Sequence, residues 1–553
     1  MEHMRLLIAI GLSFAVFLLW SIFFGPEPVQ KPVAQTEQRT ESKSEAPPES
    51  ATLPAPTVQA PQTPVTDQGE AQPSRPARKI VVNTPLYRMT LSEQGAAVVS
   101  MILQNYRETV QEDSPRKELI PAGLDGGTAL LSMSGISEPG LSQGLYDADN
   151  PADEITLRGK PAEIRFSYTT GQNVRIEKIY RFTPDSYLVD LVVTVRNGSD
   201  KPLSGTLGLG LRDLFGDKVN AYGFEGPSGL INGSLEQVKV NDIEEENMFE
   251  GNIRWVAIER LYFMDGLISK APVDARMVLA KEDKLISSEL VASIGEIKPS
   301  DQRSFEFGLF MGPKSISVLR QVGSELDRAI NFGWVDLIAK PCLWFMNFIY
   351  RFIPNYGIAI IILTIVTRLL FWPLAQKSYK SMNDMRKLQP LMQEIREKYK
   401  NDKAKINQET MALYRTYKIN PMGGCLPMLI QLPVFFALYR MLYQAIELRH
   451  APFFGWINDL SAPDRLFHFG FQIPFMEAPY GVPVLTLIMG ASMLLQQKMS
   501  PAPGDPTQAK MMMLMPIVFT FIFINFPSGL VLYWFVSNLV SIAQQYYTQK
   551  KLA

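Results

Sequence analysis

Gly357-Ile358-Ala359-Ile360-Ile361-Ile362-Leu363-Thr364-Ile365-Val366-Thr367-Arg368-Leu369-Leu370-Phe371-Trp372-Pro373-Leu374 is an apolar run with a single charge inside it. Such a run predicts a membrane-spanning helix. Counting from Gly357 at about 1.5 Å per residue, Arg368 lies roughly 16 Å into a hydrocarbon core about 30 Å thick. An arginine at that depth costs roughly 2.5 to 3.5 kcal/mol even on lenient insertion scales. None of the chain's apolar runs offers it an acidic partner. Compensation then falls to internal water, a neighbouring polar group or a passing substrate. The alternative reading of Arg368 is a structural arginine that snorkels to the interface.

Four more apolar runs follow, at 425–443, 482–495, 511–526 and 530–546, and another stands at the amino terminus, 6–24, after Arg5. Gly25 and Pro26 close that first run in place of a small-x-small cleavage site, so residues 1–25 read as an uncleaved signal anchor. The expected fold class is therefore an α-helical polytopic membrane protein of six spans with a large extracytoplasmic all-β domain. Orientation follows from loop charge. Residues 376–420 are dense in cations, among them Lys377, Lys380, Arg386, Lys398, Lys405 and Arg415, whereas 445–481 has only Arg449 and Arg465. The basic loop is expected in the cytoplasm, which puts both termini there and the β-domain outside.

The whole-chain balance, a formal charge of -1 over 553 residues, hides this sorting of charge by segment. Residues 26–78 are rich in Pro, Gln, Glu, Ser and Thr and poor in bulky apolar groups, which predicts a flexible tether. Across 79–318 the pattern becomes strict alternation, clearest in Val174-Arg175-Ile176-Glu177-Lys178-Ile179-Tyr180-Arg181-Phe182 and again over 187–195. Half-buried antiparallel strands and one large β-sandwich are expected there. Only Cys342 and Cys425 occur, so no disulfide framework supports it.

Residues 319–356 hold a stretch, 324–352, that reads as one helix whose apolar face includes Leu326, Ile330, Trp334, Leu337, Ile338 and Trp344. That face suits a membrane interface, or equally a helix packed on the sandwich. The second span is assigned to 357–375, and 376–420 is expected to form a cytoplasmic helical hairpin broken at Asn401-Asp402. The hairpin reads either as a docking surface for ribosome or translocating chain or as a solvated topogenic loop. The remaining spans and a short tail occupy 421–553.

Several chemistries are excluded by what these spans lack. The three histidines, His3, His450 and His468, are not central to any span, and no H-E-x-x-H motif is present for zinc. No intramembrane serine with a basic partner, no pair of span aspartates and no G-x-x-x-x-G-K-[ST] phosphate loop occurs. The expectation is a non-enzyme with no cofactor, no metal and no dedicated nucleic-acid motif. What remains is a set of polar groups in apolar runs. Thr364 and Arg368, four apart, share a helix face. Gln431 is a strongly polar residue inside the third span with Phe435 one turn on, and the sixth span adds Tyr533, Trp534, Ser537 and Asn538. Their convergence would make a wet cationic groove; interhelical hydrogen bonding and packing would use the same residues. The runs 482–495 and 511–526 reach only about 21 and 24 Å, short of a core of roughly 30 Å, so local bilayer thinning is expected. A thinned membrane beside a hydrated positive groove describes a device for moving short polar segments across. A small-anion transporter using Arg368 is the alternative, although no paired Gly/Pro-interrupted repeats are evident.

Four motifs carry a resemblance: Asn420-Pro421-Met422-Gly423-Gly424-Cys425-Leu426-Pro427, Leu429-Ile430-Gln431-Leu432-Pro433, Gln497-Lys498-Met499-Ser500-Pro501, and Phe526-Pro527-Ser528-Gly529-Leu530-Val531-Leu532-Tyr533-Trp534. Over 329–545 the chain resembles the YidC/oxidase-assembly/thylakoid family of membrane protein insertases, and its anchor and outer domain look like the Gram-negative form. The resemblance implies a five-helix core around a groove open to cytoplasm and lipid, with Arg368 inside. It assigns Thr364, Gln431, Phe435, Tyr533 and Trp534 to groove or substrate-contact positions, and a sugar-mutarotase-type supersandwich without sugar chemistry to the outer domain. It also implies nascent membrane proteins as clients, action alone or beside the Sec translocon in the bacterial inner membrane, and ribosome and signal recognition particle contact through the hairpin. Trp534 departs from the tyrosine of such relatives, and Lys550-Lys551-Leu552-Ala553 is not a long basic tail.

Overall fold

Alternation along Val174–Phe182 builds a strand that buries Val174, Ile176, Tyr180 and Phe182 and leaves Arg175 and Arg181 exposed. The computed structural model describes residues 75–134, 140–216, 223–400, 402–417, 426–499 and 506–552. The expected signal anchor and nearly all of the tether lie outside the described residues.

Val174–Phe182 pairs antiparallel with Leu188–Asn197, Ile179 opposite Val192, and with Ala162–Thr169 on its other edge. These strands belong to a twelve-stranded sheet that also contains the 20-residue strand Phe263–Glu282. That strand pairs with Gln302–Pro313 through its first part and with Leu285–Ser293 through its last. A second sheet of five strands, built on Lys79–Asn83, Tyr87–Ser92 and Ala97–Arg107, contributes to the same core. Trp255, Tyr87, Tyr146, Tyr180, Phe166 and Phe310 are fully buried in it. The result is a large all-β sandwich.

Lys178 occupies an inward position of its strand and is fully buried. Its ammonium donates to the carbonyl of Ala96 at 2.8 Å and to that of Ala129, and it lies 5.3 Å from the Tyr180 ring centroid. Tyr180 donates its hydroxyl to the same Ala96 carbonyl at 2.7 Å. The lysine therefore joins strand Val174–Phe182 to the loop ahead of Ala97–Arg107 in the other sheet. Burial lowers its pKa to about 7.

After the sandwich come α1 (Ile316–Val322), α2 (Asp336–Phe352), α3 (Tyr356–Leu370), α4 (Trp372–Lys387), α5 (Gln389–Lys398), α6 (Lys403–Thr416), α7 (Leu426–Gln444), α8 (Val484–Met499), α9 (Pro506–Phe523) and α10 (Ser528–Leu552). Helix α10 packs against α3, α4, α7 and α8, and α9 packs on α8. The single helix expected over 324–352 is instead two 3-10 turns, Leu326–Ala329 and Gly333–Val335, followed by α2. The break has a local cause. Asn331 accepts from Gly333 N at 2.8 Å and Asp336 from Phe332 N at 3.0 Å, so side chains replace helical carbonyls as acceptors. The expected apolar face is split accordingly. Leu326 and Ile330 are buried, whereas Trp334, Leu337 and Trp344 are 64, 87 and 63% exposed. Helix α2 buries Ala339, Leu343, Met346 and Ile349 against α7 and α3.

Between α3 and α7, α5 and α6 lean on one another, with the Tyr414 hydroxyl 3.4 Å from Met392 Sδ. Asp402 caps α6 by accepting from Lys405 N at 3.0 Å. No single helix among the described residues is long and apolar enough to cross a membrane. The pair Tyr356–Leu370 and Trp372–Met385, bent by 60°, passes that test together. Sandwich and helices are joined by polar contacts. Tyr262 donates its hydroxyl to the Tyr443 carbonyl at 3.3 Å, Ser315 donates to Glu447 at 3.2 Å, and Arg449 donates to the Arg107 carbonyl at 2.7 Å. Burial pushes the Glu447 carboxyl above its ordinary pKa.

Candidate functional site around Arg368

Helix α3 begins with an Asn355 cap that accepts from Ile358 N at 3.1 Å, and Arg368 falls in its last turn. The side chain is half-buried. Its Nε donates to Ser537 Oγ of α10 at 2.8 Å, and its Nη2 donates to the same oxygen. No acidic group among the described residues pairs with it. The guanidinium is thus held by a neutral hydroxyl, with part of its donor fork unused.

Ser537 also takes part in a hydrogen bond with Tyr533, one turn earlier on α10, and Tyr533 accepts from Gln431 Nε2 of α7 at 3.3 Å. Gln431, Tyr533, Ser537 and Arg368 form one polar chain across three helices. Thr364 lies one turn before Arg368, fully buried, with its hydroxyl donated to the Ile360 carbonyl at 2.6 Å. Trp534, next to Tyr533, turns about 100° away on the helix. Its ring meets Phe435 of α7 edge-on at 4.7 Å and Phe523 of α9 at 4.7 Å. The six residues singled out by sequence therefore fall into a polar chain and an aromatic cluster, with Thr364 bonded back into its own helix.

Ser537 was visible in sequence as a polar residue of the sixth span but not as the partner of Arg368. A longer feature carries it. Ser537, Ser541, Gln544, Gln545 and Thr548 recur at helical spacing on α10 and all are buried. Ser541 and Thr548 donate back to carbonyls four residues earlier, while Gln544 donates to the Trp372 carbonyl at 3.1 Å and Gln545 to that of Met499 at 2.8 Å. Tyr379 of α4 bonds to Ser541. The signal was a repeat of small and amide side chains at i, i+4, i+7, i+8 and i+11 from Ser537.

The opposite end of the helix group is closed by residues 445–483. Ser528 and Gly529, opening α10, donate to the carbonyls of Ala462 (2.8 Å) and Leu460 (2.9 Å). Asp464 accepts from Leu485 N and Thr486 N at the start of α8 and from the Trp456 indole. Arg465 donates to the Ile524 carbonyl after α9 at 2.8 Å and to the Pro479 carbonyl at 2.9 Å. Both arginines of this loop, Arg449 and Arg465, donate to backbone carbonyls.

Two family models match separate parts of the chain. Residues 348–553 match the family model "60Kd inner membrane protein" and residues 79–345 match "YidC periplasmic domain". The membrane protein insertase YidC of Syntrophus aciditrophicus is 42% identical over 570 residues, covering 99% of each chain. The chain belongs to the YidC family of membrane protein insertases. The YidC relative from Syntrophobacter fumaroxidans is 40% identical, again over 99% of each chain. A crystal structure of an active YidC insertase with its first transmembrane domain resolved aligns with 86% of this chain and 93% of its own at 20% identity, TM-score 0.37. Arg368, Gln431 and Tyr533 lie within the residues matched by the first model and Lys178 within those matched by the periplasmic-domain model.

Proposed function

We propose that this protein inserts nascent membrane proteins into the bacterial inner membrane, with Arg368 transiently attracting acidic groups of an incoming extracytoplasmic segment. One observation carries the reading: Arg368 has no acidic partner among the described residues and rests on the Ser537 hydroxyl. A hydroxyl holds the guanidinium in place yet leaves it available to a carboxylate. A pair at about 4 Å is worth roughly 4 kcal/mol at an effective dielectric of 20, before desolvation. That magnitude offsets entry into the membrane and still permits release.

In this reading α3, α7, α8, α9 and α10 span the membrane, and 6–24 supplies a sixth span. Arg368, Gln431 and Tyr533 supply the polar contacts of the groove, Thr364 its floor, and Phe435 and Trp534 the apolar guide for the segment that enters lipid. The shortness of α8 and of the apolar part of α9 thins the bilayer beside them. The termini and the α5–α6 hairpin lie in the cytoplasm, where the hairpin meets ribosome and signal recognition particle, and the core acts alone or beside the Sec translocon. The relatives carry the insertase name, and none of this favours the anion-transporter alternative.

The test is insertion of a single-span substrate with an acidic outer tail into proteoliposomes by wild type, Arg368→Lys and Arg368→Ala at matched folding. Failure of the alanine variant alone, abolished by neutralising the tail, is the expected outcome. Normal insertion by Arg368→Ala would sink the electrostatic role.

A further inference from the structure

Between α7 and α8 the chain makes a small hairpin, Leu466–Phe469 paired with Tyr480–Val482. Three of its four phenylalanines face outward: Phe467, Phe471 and Phe475 are 69, 65 and 87% exposed, while Phe469 is half-buried. Two of them sit in the left-handed region, with φ of 55° at Phe467 and 64° at Phe475, which bulky side chains rarely adopt. The surroundings impose this conformation. Asn525, just after α9, accepts from Glu477 N at 2.9 Å and donates to the Phe475 carbonyl at 3.0 Å, and Arg465 donates to the same Asn525 oxygen at 3.2 Å. At the other side Gly481 permits close approach, since a Cβ there would lie 2.7 Å from the Phe467 carbonyl. The backbone is fastened and the aromatic rings are displayed.

We propose that this hairpin is a lipid-binding collar: Phe467, Phe471 and Phe475 insert into the outer interface of the bilayer and set the depth of α8 and α9. The inference rests on the membrane reading above and goes beyond it. Three observations select lipid as the occupant. The hairpin runs directly into Val484 of α8, whose Leu487, Ile488 and Leu495 are themselves exposed, so the apolar surface is continuous. Both helices anchored to it are short. At about 1.5 Å per residue α8 reaches about 24 Å and Met511–Phe523 about 20 Å, against a core of about 30 Å. Phenylalanine rings at the outer ends supply apolar surface where the helices stop, as Trp, Phe and Leu do on the buried face of interfacial segments. Finally, across 466–482 the titratable side chains apart from Tyr480 are His468 and Glu477, so little charge opposes insertion.

The test uses the full chain with Cys342 and Cys425 replaced by serine and a single cysteine at Phe471→Cys, Phe475→Cys, Leu487→Cys or Glu282→Cys, each labelled with an environment-sensitive fluorophore. The proteins are reconstituted in phosphatidylcholine/phosphatidylglycerol vesicles. Expected are blue-shifted emission at 471 and 475 and loss of intensity with shallow spin-labelled lipid rather than aqueous iodide. Position 487 responds to deep spin-labelled lipid, and 282 to iodide alone. Iodide quenching at 475 with 487 still in lipid overturns the collar and leaves the membrane reading intact. Protection of 475 from both quenchers means a second copy or another protein covers it, which also overturns the collar. Iodide quenching at 487 overturns the membrane reading and the collar with it.

Discussion

Arg368 and Ser537 meet across the contact of α3 with α10, Nε 2.8 Å from Oγ, and the serine is the hydrogen-bond partner that aims the guanidinium. Hydrogen bonds to charged groups are worth about 1.5–3 kcal/mol. Ser537→Ala is therefore expected to free the guanidinium and slow insertion of acidic-tailed substrates by about tenfold, 1.4 kcal/mol, or more. Ser537→Thr should restore most of the rate. Insertion kinetics decide the matter: an alanine variant that inserts at the wild-type rate means Ser537 does not position Arg368.

Tyr533 stands between Gln431 and Ser537 in the same chain. Tyr533→Phe keeps the packing and removes one hydroxyl, so about 0.5–1.5 kcal/mol is at stake. The informative measurement is a double-mutant cycle with Ser537→Ala. Groups in one network couple by about 0.5–3 kcal/mol, and strictly additive effects would show that the two act separately.

Much of the β-domain was legible because alternation is a local property: Val174–Phe182 can be read without knowing its partners. The pairing of Phe263–Glu282 with two different strands was not, since register is settled by tertiary contact. Residues 324–352 misled because apolar spacing continues across Asn331 and Asp336, whose side chains end the helix by capturing backbone N–H groups. At the site, a charge in an apolar run singles out Arg368 from sequence alone. Its partner depends on which face of α10 meets α3. Tyr533 and Trp534 are neighbours in the chain yet serve different surroundings, a consequence of helical rotation that sequence can suggest but not assign to a neighbour.

Lys178 makes the β-domain sensitive to pH. Its pKa is about 7 in the folded chain against an ordinary 10.5, so between those values the unfolded chain holds one more proton than the folded. Stability from this group therefore rises with pH across about 7 to 10.5, by up to about 5 kcal/mol, and is constant on either side. Hydrogen-exchange protection of Val174–Phe182, corrected for intrinsic rate, is expected to increase over that window. In Lys178→Met the slope should flatten. A wild type whose protection is flat or falls from pH 7 to 10 would contradict the assignment.

Asp464 accepts from Leu485 N, Thr486 N and the Trp456 indole, so one carboxylate both caps α8 and ties it to the loop that closes this end of the helix group. Loss of a cap costs about 0.5–2 kcal/mol, and the half-buried Trp456 indole also loses its acceptor. Asp464→Ala should accordingly raise amide exchange at Leu485 and Thr486 and lower the thermal stability of the reconstituted protein. Asp464→Asn, which keeps one carbonyl acceptor, should fall between. Arg465 is fastened independently through Pro479 and Ile524, so the hairpin strands 466–469 and 480–482 are expected to keep their protection in both variants. Loss of protection at α8 and the hairpin together would mean that the closed end unfolds as one unit, with Asp464 as its common support.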